Sequence, residues 1–235
     1  MSTRLVVALP AGELVAPFEV DHVGDGLPAP SYAVSPGDRV PVLLDAIPRD
    51  PDAGGAPLRR LESARWGLAP ASPGAAPVTT VPIERAGGAA RTAEAVARRR
   101  AVLPVTGYVE RSATEGPQYV HAPGDELVVL AGLYEWWRDP ARSADDPARW
   151  VLTATVLTQP ATDPLTGIRE RMPVFIDPAF ADEWLDPHEQ DADELLEAIA
   201  AAAPEQARRM AFHAIVDPPA GAPRDSPVLI APVGG

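Results

Sequence analysis

Hydrophobic positions along the chain fall mainly into short runs rich in β-branched and aliphatic residues, separated by turn signals, and this pattern predicts a β-dominated fold. The runs are Val40 to Leu44, Val78 to Ile83, Val102 to Arg111, Gln118 to His121, Leu127 to Trp137, Trp150 to Thr158 and Ala211 to Val216. Helical signals are fewer. Acidic residues open a segment from Asp191 to Ala203, Leu195, Leu196 and Ile199 share its apolar face, and Pro204 is expected to end it. Thr92 to Arg100 makes a second helix, with Thr92 as its cap and Arg98, Arg99 and Arg100 at the negative end of its dipole. Pro178 to Leu185 makes a third. The connections Pro48 to Pro57, Ala69 to Pro77, Asp139 to Pro147 and Asp217 to Pro227 are rich in Pro, Gly and Ala and too short for interdomain linkers. One α+β domain on a mostly antiparallel sheet follows.

Composition narrows the chemistry. The 235 residues carry 33 acids against 20 basic side chains, a formal net charge of -13, and no cysteine. Disulfides, Cys-ligated metals and a cysteine nucleophile are therefore excluded. Every basic residue is arginine, which removes Schiff-base and P-loop lysines. There is no asparagine either. The longest apolar run, Leu127 to Tyr134, is far below the roughly 20 residues that span a bilayer. Leu5 to Leu9 is too short for a secretory signal, so no membrane association and a cytoplasmic location are expected. An acidic protein repels polyanions, so a nucleic-acid role has to use the locally basic stretch 61–115, with seven Arg against five acids.

Motif scanning is mostly negative. His22, His121, His188 and His213 are widely separated and no HExxH occurs, so no metal and no cofactor are expected. There is no GxSxG elbow, Walker loop or GxGxxG fingerprint. Adjacent Trp136 and Trp137 on a strand must face opposite sides of the sheet. Packing is the commoner role for such residues, and stacking on a base the rarer one.

A collinear set of segments resembles the SOS-response-associated peptidase (SRAP) family, whose members capture abasic sites in single-stranded DNA. They are Tyr32 to Gly37, Ala64 to Pro70, Val78 to Glu84, Arg98 to Arg111 ending in Gly107-Tyr108-Val109-Glu110, Leu130 to Trp137, Trp150 to Thr158, Ile168 to Val174 and Val228 to Val233. The resemblance covers essentially the whole chain. It implies a single SRAP-like domain over residues 1–235, built on a barrel-like, mostly antiparallel sheet with a few peripheral helices.

It also implies specific chemistry. In the family the residue after the removed initiator Met is a cysteine whose amine and thiol trap the sugar aldehyde as a thiazolidine. That position is Ser2 here. A hydroxyl is a much weaker nucleophile than a thiolate, and the oxazolidine it forms is readily reversible. The family's proton-transfer histidine falls on Arg169, which stays charged and cannot cycle protons near neutrality. Its DNA-contacting asparagine falls on Thr80, the arginine two residues on is Pro82, and its wedge tryptophan is replaced in the Ala71-Ser72 region. Glu110 remains, as an acid–base group or as a structural residue held by hydrogen bonds inside its strand, with Arg4 and Arg171 as phosphate contacts or as solvated side chains or ion-pair partners of Glu170.

Three functions are compatible with this pattern. The first is a catalytically degenerate family member that binds single-stranded or abasic DNA weakly and forms no stable cross-link. The second is a protein-interaction scaffold without a DNA role, for which the acidic C-terminal third argues. The third is an abasic-site lyase using the Ser2 α-amine with Glu110.

Overall fold

The computed structural model of the chain describes residues 4–48, 55–70, 75–88, 90–124, 126–189, 191–217 and 221–234. Its strands are β1 (Arg4–Val7), β2 (His22–Val23), β3 (Ser31–Val34), β4 (Arg39–Ala46), β5 (Leu58–Trp66), β6 (Thr80–Pro82), β7 (Arg100–Val105), β8 (Gly107–Ser112), β9 (Gly116–His121), β10 (Val128–Arg138), β11 (Trp150–Pro160), β12 (Arg171–Pro173) and β13 (Ala211–Ala214). The helices are α1 (Ile83–Ala86), α2 (Ala90–Arg98), α3 (Ala181–Leu185) and α4 (Ala192–Arg208).

A closed barrel forms the centre. β5 pairs antiparallel with β4, β4 with β7, β7 with β10 and β10 with β11. β11 then returns to β5 in parallel through Thr153↔Arg65 and Ala154↔Trp66. Beyond this seam β11 continues between β6, parallel, and β12, antiparallel. Closure leaves no unpaired edge around the ring.

A second, antiparallel sheet has the order β13-β9-β8-β1-β3. Both its faces are apolar, and alternation along each strand sorts them. Leu5, Val7, Tyr108 and Val120 join the barrel's core, while Val6, Val109 and Tyr119 pack with Ile215, Tyr32 and Ile230 in a smaller cluster on the other side. The α+β, mostly antiparallel, barrel-like reading thus describes the fold. Among the described residues no helix is long and apolar enough to cross a membrane.

Several elements differ from the sequence expectation. Val102 to Arg111 is two strands in two sheets, because Thr106 turns the chain: its backbone N–H and its hydroxyl both donate to the Val6 carbonyl, at 2.8 and 3.0 Å. Gly107 follows because any Cβ there would lie 2.4 Å from the Val120 carbonyl oxygen. Val78 to Ile83 shortens to β6, with Ile83 opening α1. Pro204 does not end its helix; α4 runs through it to Arg208, since Leu195, Ile199, Ala203 and Ala207 form one buried stripe that holds the last turn in place. Asp191 is that helix's N-cap, accepting from Glu194 N–H. Thr92 lies inside α2 rather than capping it. Arg100 has left that helix and begins β7, but its buried guanidinium still donates to the Val96 and Ala97 carbonyls, and also to those of Trp184, Asp186 and Glu189. One side chain thereby caps α2 and clamps the turn after α3.

Candidate functional site

The site forms where β5, β6, β8, β11 and β12 converge on a cavity of about 170 Å³ lined by Leu5, Trp66, Thr80, Tyr108, Glu110, Val156, Thr158 and residues 169–173. Each element has a local reason to be there. Trp66 is 1% exposed, and its indole N–H donates to the Thr79 carbonyl at 3.2 Å, which ties β5 to the strand entering the cavity. Gly67 must follow: its φ is +115°, and a Cβ would sit 2.7 Å from the Pro77 Cβ. β6 lies on β11 with Val156↔Thr80 and Thr158↔Pro82, so Thr80 and Thr158 reach the same space.

On β8, alternation aims Tyr108 and Glu110 toward the barrel and Val109 and Arg111 away from it. Burial pushes the Tyr108 phenol far above its usual range, and the Glu110 charge adds to the effect. Glu110 is 8% exposed. Its Oε1 accepts from the Arg111 N–H at 3.1 Å and faces Arg169 Nη1 at 3.4 Å. Arg169 also donates to the Arg111 carbonyl at 3.4 Å.

Arg171 faces the same cavity but is committed elsewhere. Its Nη2 lies 2.9 Å from Glu84 Oε2 and 2.6 Å from the Thr158 carbonyl, and its Nε donates to Thr158 Oγ1 at 3.3 Å. The Arg171 hydrogen bond holds the Glu84 carboxyl below the usual carboxylate range. The acid that neutralises Arg171 is therefore Glu84, not the neighbouring Glu170.

Of the six residues singled out from sequence, Glu110, Arg169, Thr80 and Arg171 line this cavity. Arg4 does not. The register Arg4↔Val109 sets it on the opposite face of its sheet from Glu110, beside Arg111 and Asp217. Burial lowers the Arg4 pKa, the charge of Asp217 opposes that and the charge of Arg111 adds to it; Asp217 itself pairs with Arg111. Ser2 and the Ala71-Ser72 region lie outside the described residues. Sequence reasoning treated Trp66, Tyr108 and Glu84 only as family markers; their buried or ion-paired environment is what makes them part of the site. Among the described residues no group of three or more His, Asp or Glu is arranged to hold a metal.

Chemically, the cavity has an apolar floor of Trp66, Tyr108, Met172 and Pro173, and one wall made of a carboxylate and a guanidinium in contact. A guanidinium can orient and attract an anion but cannot relay a proton near neutrality.

This architecture has solved relatives. A protein from Bacteroides thetaiotaomicron superposes with a TM-score of 0.73 at 17% identity, over 99% of both chains. A phage-related protein from Bordetella bronchiseptica does so with a TM-score of 0.64 at 20% identity, over 89% of this chain and 92% of that one. In sequence, the chain is 24% identical over 195 residues to the abasic site processing protein YoqW of Bacillus subtilis, covering 78% of this chain and 79% of that protein. It is 23% identical over 195 residues to the abasic site processing protein YobE of the same organism, covering 78% and 81%. The model of the SOS response associated peptidase (SRAP) family matches residues 1–217, and the chain belongs to that family.

Proposed function

We propose that this protein engages single-stranded or abasic DNA in the Glu110–Arg169 cleft but does not form the durable covalent adduct of a cysteine-bearing site. The supporting observation is the 3.4 Å contact between Glu110 and Arg169, which sets a permanently charged group where the family resemblance calls for a proton-transferring histidine. Ser2 in the sequence points the same way. A processed Ser2 amine condenses with the sugar aldehyde to an imine and water, and the hydroxyl can add across that imine to an oxazolidine, which hydrolyses back in water. The retained role of the cleft is then recognition: the cavity is small, apolar-floored and bordered by arginine. The test is to incubate the protein with abasic single-stranded DNA and run a denaturing gel. No band shift is expected after heating; a heat-stable adduct overturns the reading.

A lyase reading has one observation in its favour. β1 enters its sheet with Arg4 opposite Val109, the neighbour of Glu110, so the N-terminal end of the described chain begins beside the one retained acid–base residue. Borohydride reduction in the presence of abasic DNA separates the two readings, because an amine acting as a lyase is trapped as a reduced Schiff base. The scaffold reading requires indifference to DNA at low salt, whereas binding through arginine weakens steeply as salt rises.

A further inference from the structure

Two large aromatic side chains stand out on the surface. Trp136 is 50% exposed and Trp150 is 47% exposed. They are neighbours: β10 and β11 pair as Trp136↔Leu152 and Arg138↔Trp150, so Trp136, Arg138 and Trp150 share one face, with the two indoles related diagonally. Trp137 points to the other side, so the exposure belongs to Trp136 specifically. Arg149 lies over the Trp150 ring, 5.7 Å from its centroid. Both tryptophans border a cavity of about 410 Å³ that Arg39, Arg65 and Arg142 also line.

Arginines with few carboxylate partners surround these exposed indoles. Many arginines elsewhere are neutralised by carboxylates, among them Arg59 by Asp45 and Asp182, Arg99 by Glu94, Arg171 by Glu84, Arg208 by Glu205, Arg209 by Glu126 and Arg224 by Asp38, while among the described residues Arg4, Arg85, Arg98 and Arg100 are in no ion pair. Here Arg142 is paired with Asp139 and Asp146, but among the described residues Arg39, Arg65, Arg138 and Arg149 are in no ion pair. Asp25, Glu62 and Asp139 also line the cavity, and Glu62 is held by Arg60. A protein of net charge -13 thus carries a local group of uncompensated guanidinium groups beside two half-exposed indoles.

We infer that this barrel face is a second contact surface for single-stranded nucleic acid, separate from the cleft. Indoles offer faces on which bases of any sequence stack, and guanidinium groups answer the phosphates between them. A folded duplex hides its base faces, and an acidic peptide answers the arginines but leaves the tryptophans in water. The strand β5 divides the two sites: Trp66 lines the cleft, while Arg65, the residue before it, lines the outer cavity. The surface needs no abasic site and no group of the cleft, so the inference stands or falls apart from the cleft reading.

The probe is fluorescein-labelled oligothymidylate, 5 or 20 nucleotides long and without abasic sites, titrated by anisotropy at several salt concentrations. For the 20-mer, the double variant Trp136→Ala/Trp150→Ala is expected to weaken binding about tenfold or more, with Trp136→Phe/Trp150→Phe recovering most of it. Arg65→Ala/Arg138→Ala should lower the slope of log K against log salt by about 1.4, roughly 0.7 for each lost phosphate contact. Thermal melts confirm that each variant is folded. Binding of the 20-mer that is undiminished in the Trp→Ala pair overturns the inference, as does absence of binding at low salt or equal competition by oligoglutamate. Arg169→Ala serves as the cleft control: loss of abasic-DNA binding there, with the 20-mer still held, touches only the cleft, and loss of both through Arg169 alone overturns a separate surface.

Discussion

Arg171 of the cleft and Glu84 bind each other, Nη2 to Oε2 at 2.9 Å, fastening β12 to α1. On the proposed function, the pair occupies a guanidinium that could answer a phosphate. Glu84→Gln is therefore expected to strengthen single-stranded DNA binding and to steepen its salt dependence by about 0.7 in slope, one added phosphate contact. Because the side chains of Arg171 and Glu84 are 36% and 49% exposed, the change should lower stability by only about 0.5 kcal/mol. The pH sign is fixed by the direction of the shift. The folded-state pKa of Glu84 is depressed, so its contribution is present above the unfolded value of about 4.3 and fades as pH falls through the lower folded value. Urea unfolding at pH 7 and pH 3 should show a larger wild-type advantage at the first than at the second.

Restoring the two missing chemical groups separates recognition from reaction. Ser2→Cys should form a heat-stable adduct with abasic single-stranded DNA, and Ser2→Cys/Arg169→His should form it faster, with a rate that changes near the ordinary histidine pKa of about 6.5. Arg169→His alone should form none. Denaturing gels over a pH series measure all three, and a Ser2→Cys protein whose intact mass shows Met1 removed but which forms no adduct would mean that the cleft does not admit the sugar.

Pro204 sits in the body of α4 while the buried Ala203 and Ala207 hold the helix around it. Its missing N–H and ring cost the helix up to about 3 kcal/mol relative to alanine. Pro204→Ala is expected to stabilise the protein by about 1–3 kcal/mol, which calorimetry would register as a rise of several degrees in Tm.

Arg100 gives the opposite case. Arg100→Met leaves carbonyls of Val96, Trp184 and Asp186 without their charged donor, in a place where Arg100 itself is 3% exposed. A loss of about 3 kcal/mol is expected in urea unfolding. Arg100→Lys should recover little, since a point charge cannot reach carbonyls from α2 and α3 together as a planar fork does.

Apolar runs in the sequence located β4, β9, β10 and β11 closely, because burial imposes its period on them. β5 was not legible as a strand. Arg59, Arg60, Glu62 and Arg65 interrupt its apolar pattern, and what keeps them there is tertiary: Arg59 bonds Asp45 and Asp182, and Arg60 bonds Glu62. The cleft was half legible. Glu110, Thr80, Arg169 and Arg171 were found by resemblance, but no spacing rule links Arg171 to Glu84, 87 residues away, or shows that one residue's step along a strand turns Arg4 from the side that Glu110 faces. The same limit hid the histidines. His121 and His213 are far apart in sequence, yet their rings are 5.4 Å apart, and both pack on Tyr119, because β9 and β13 are paired.

The barrel closes through only two residue pairs, Thr153↔Arg65 and Ala154↔Trp66, reinforced by the Gly67 N–H donating to Ala154 at 2.7 Å. Parallel pairing is slightly the weaker kind per residue, and this join is short, as is the antiparallel join of β4 to β7 through Leu43↔Val102. A short parallel join opens more readily than a long antiparallel one under mechanical load or mild denaturant, and this one carries Trp66 on the cleft side and Arg65 on the outer side. Breathing of the seam therefore moves the floor of the cleft and the wall of the outer cavity in one event, so the two surfaces share a hinge.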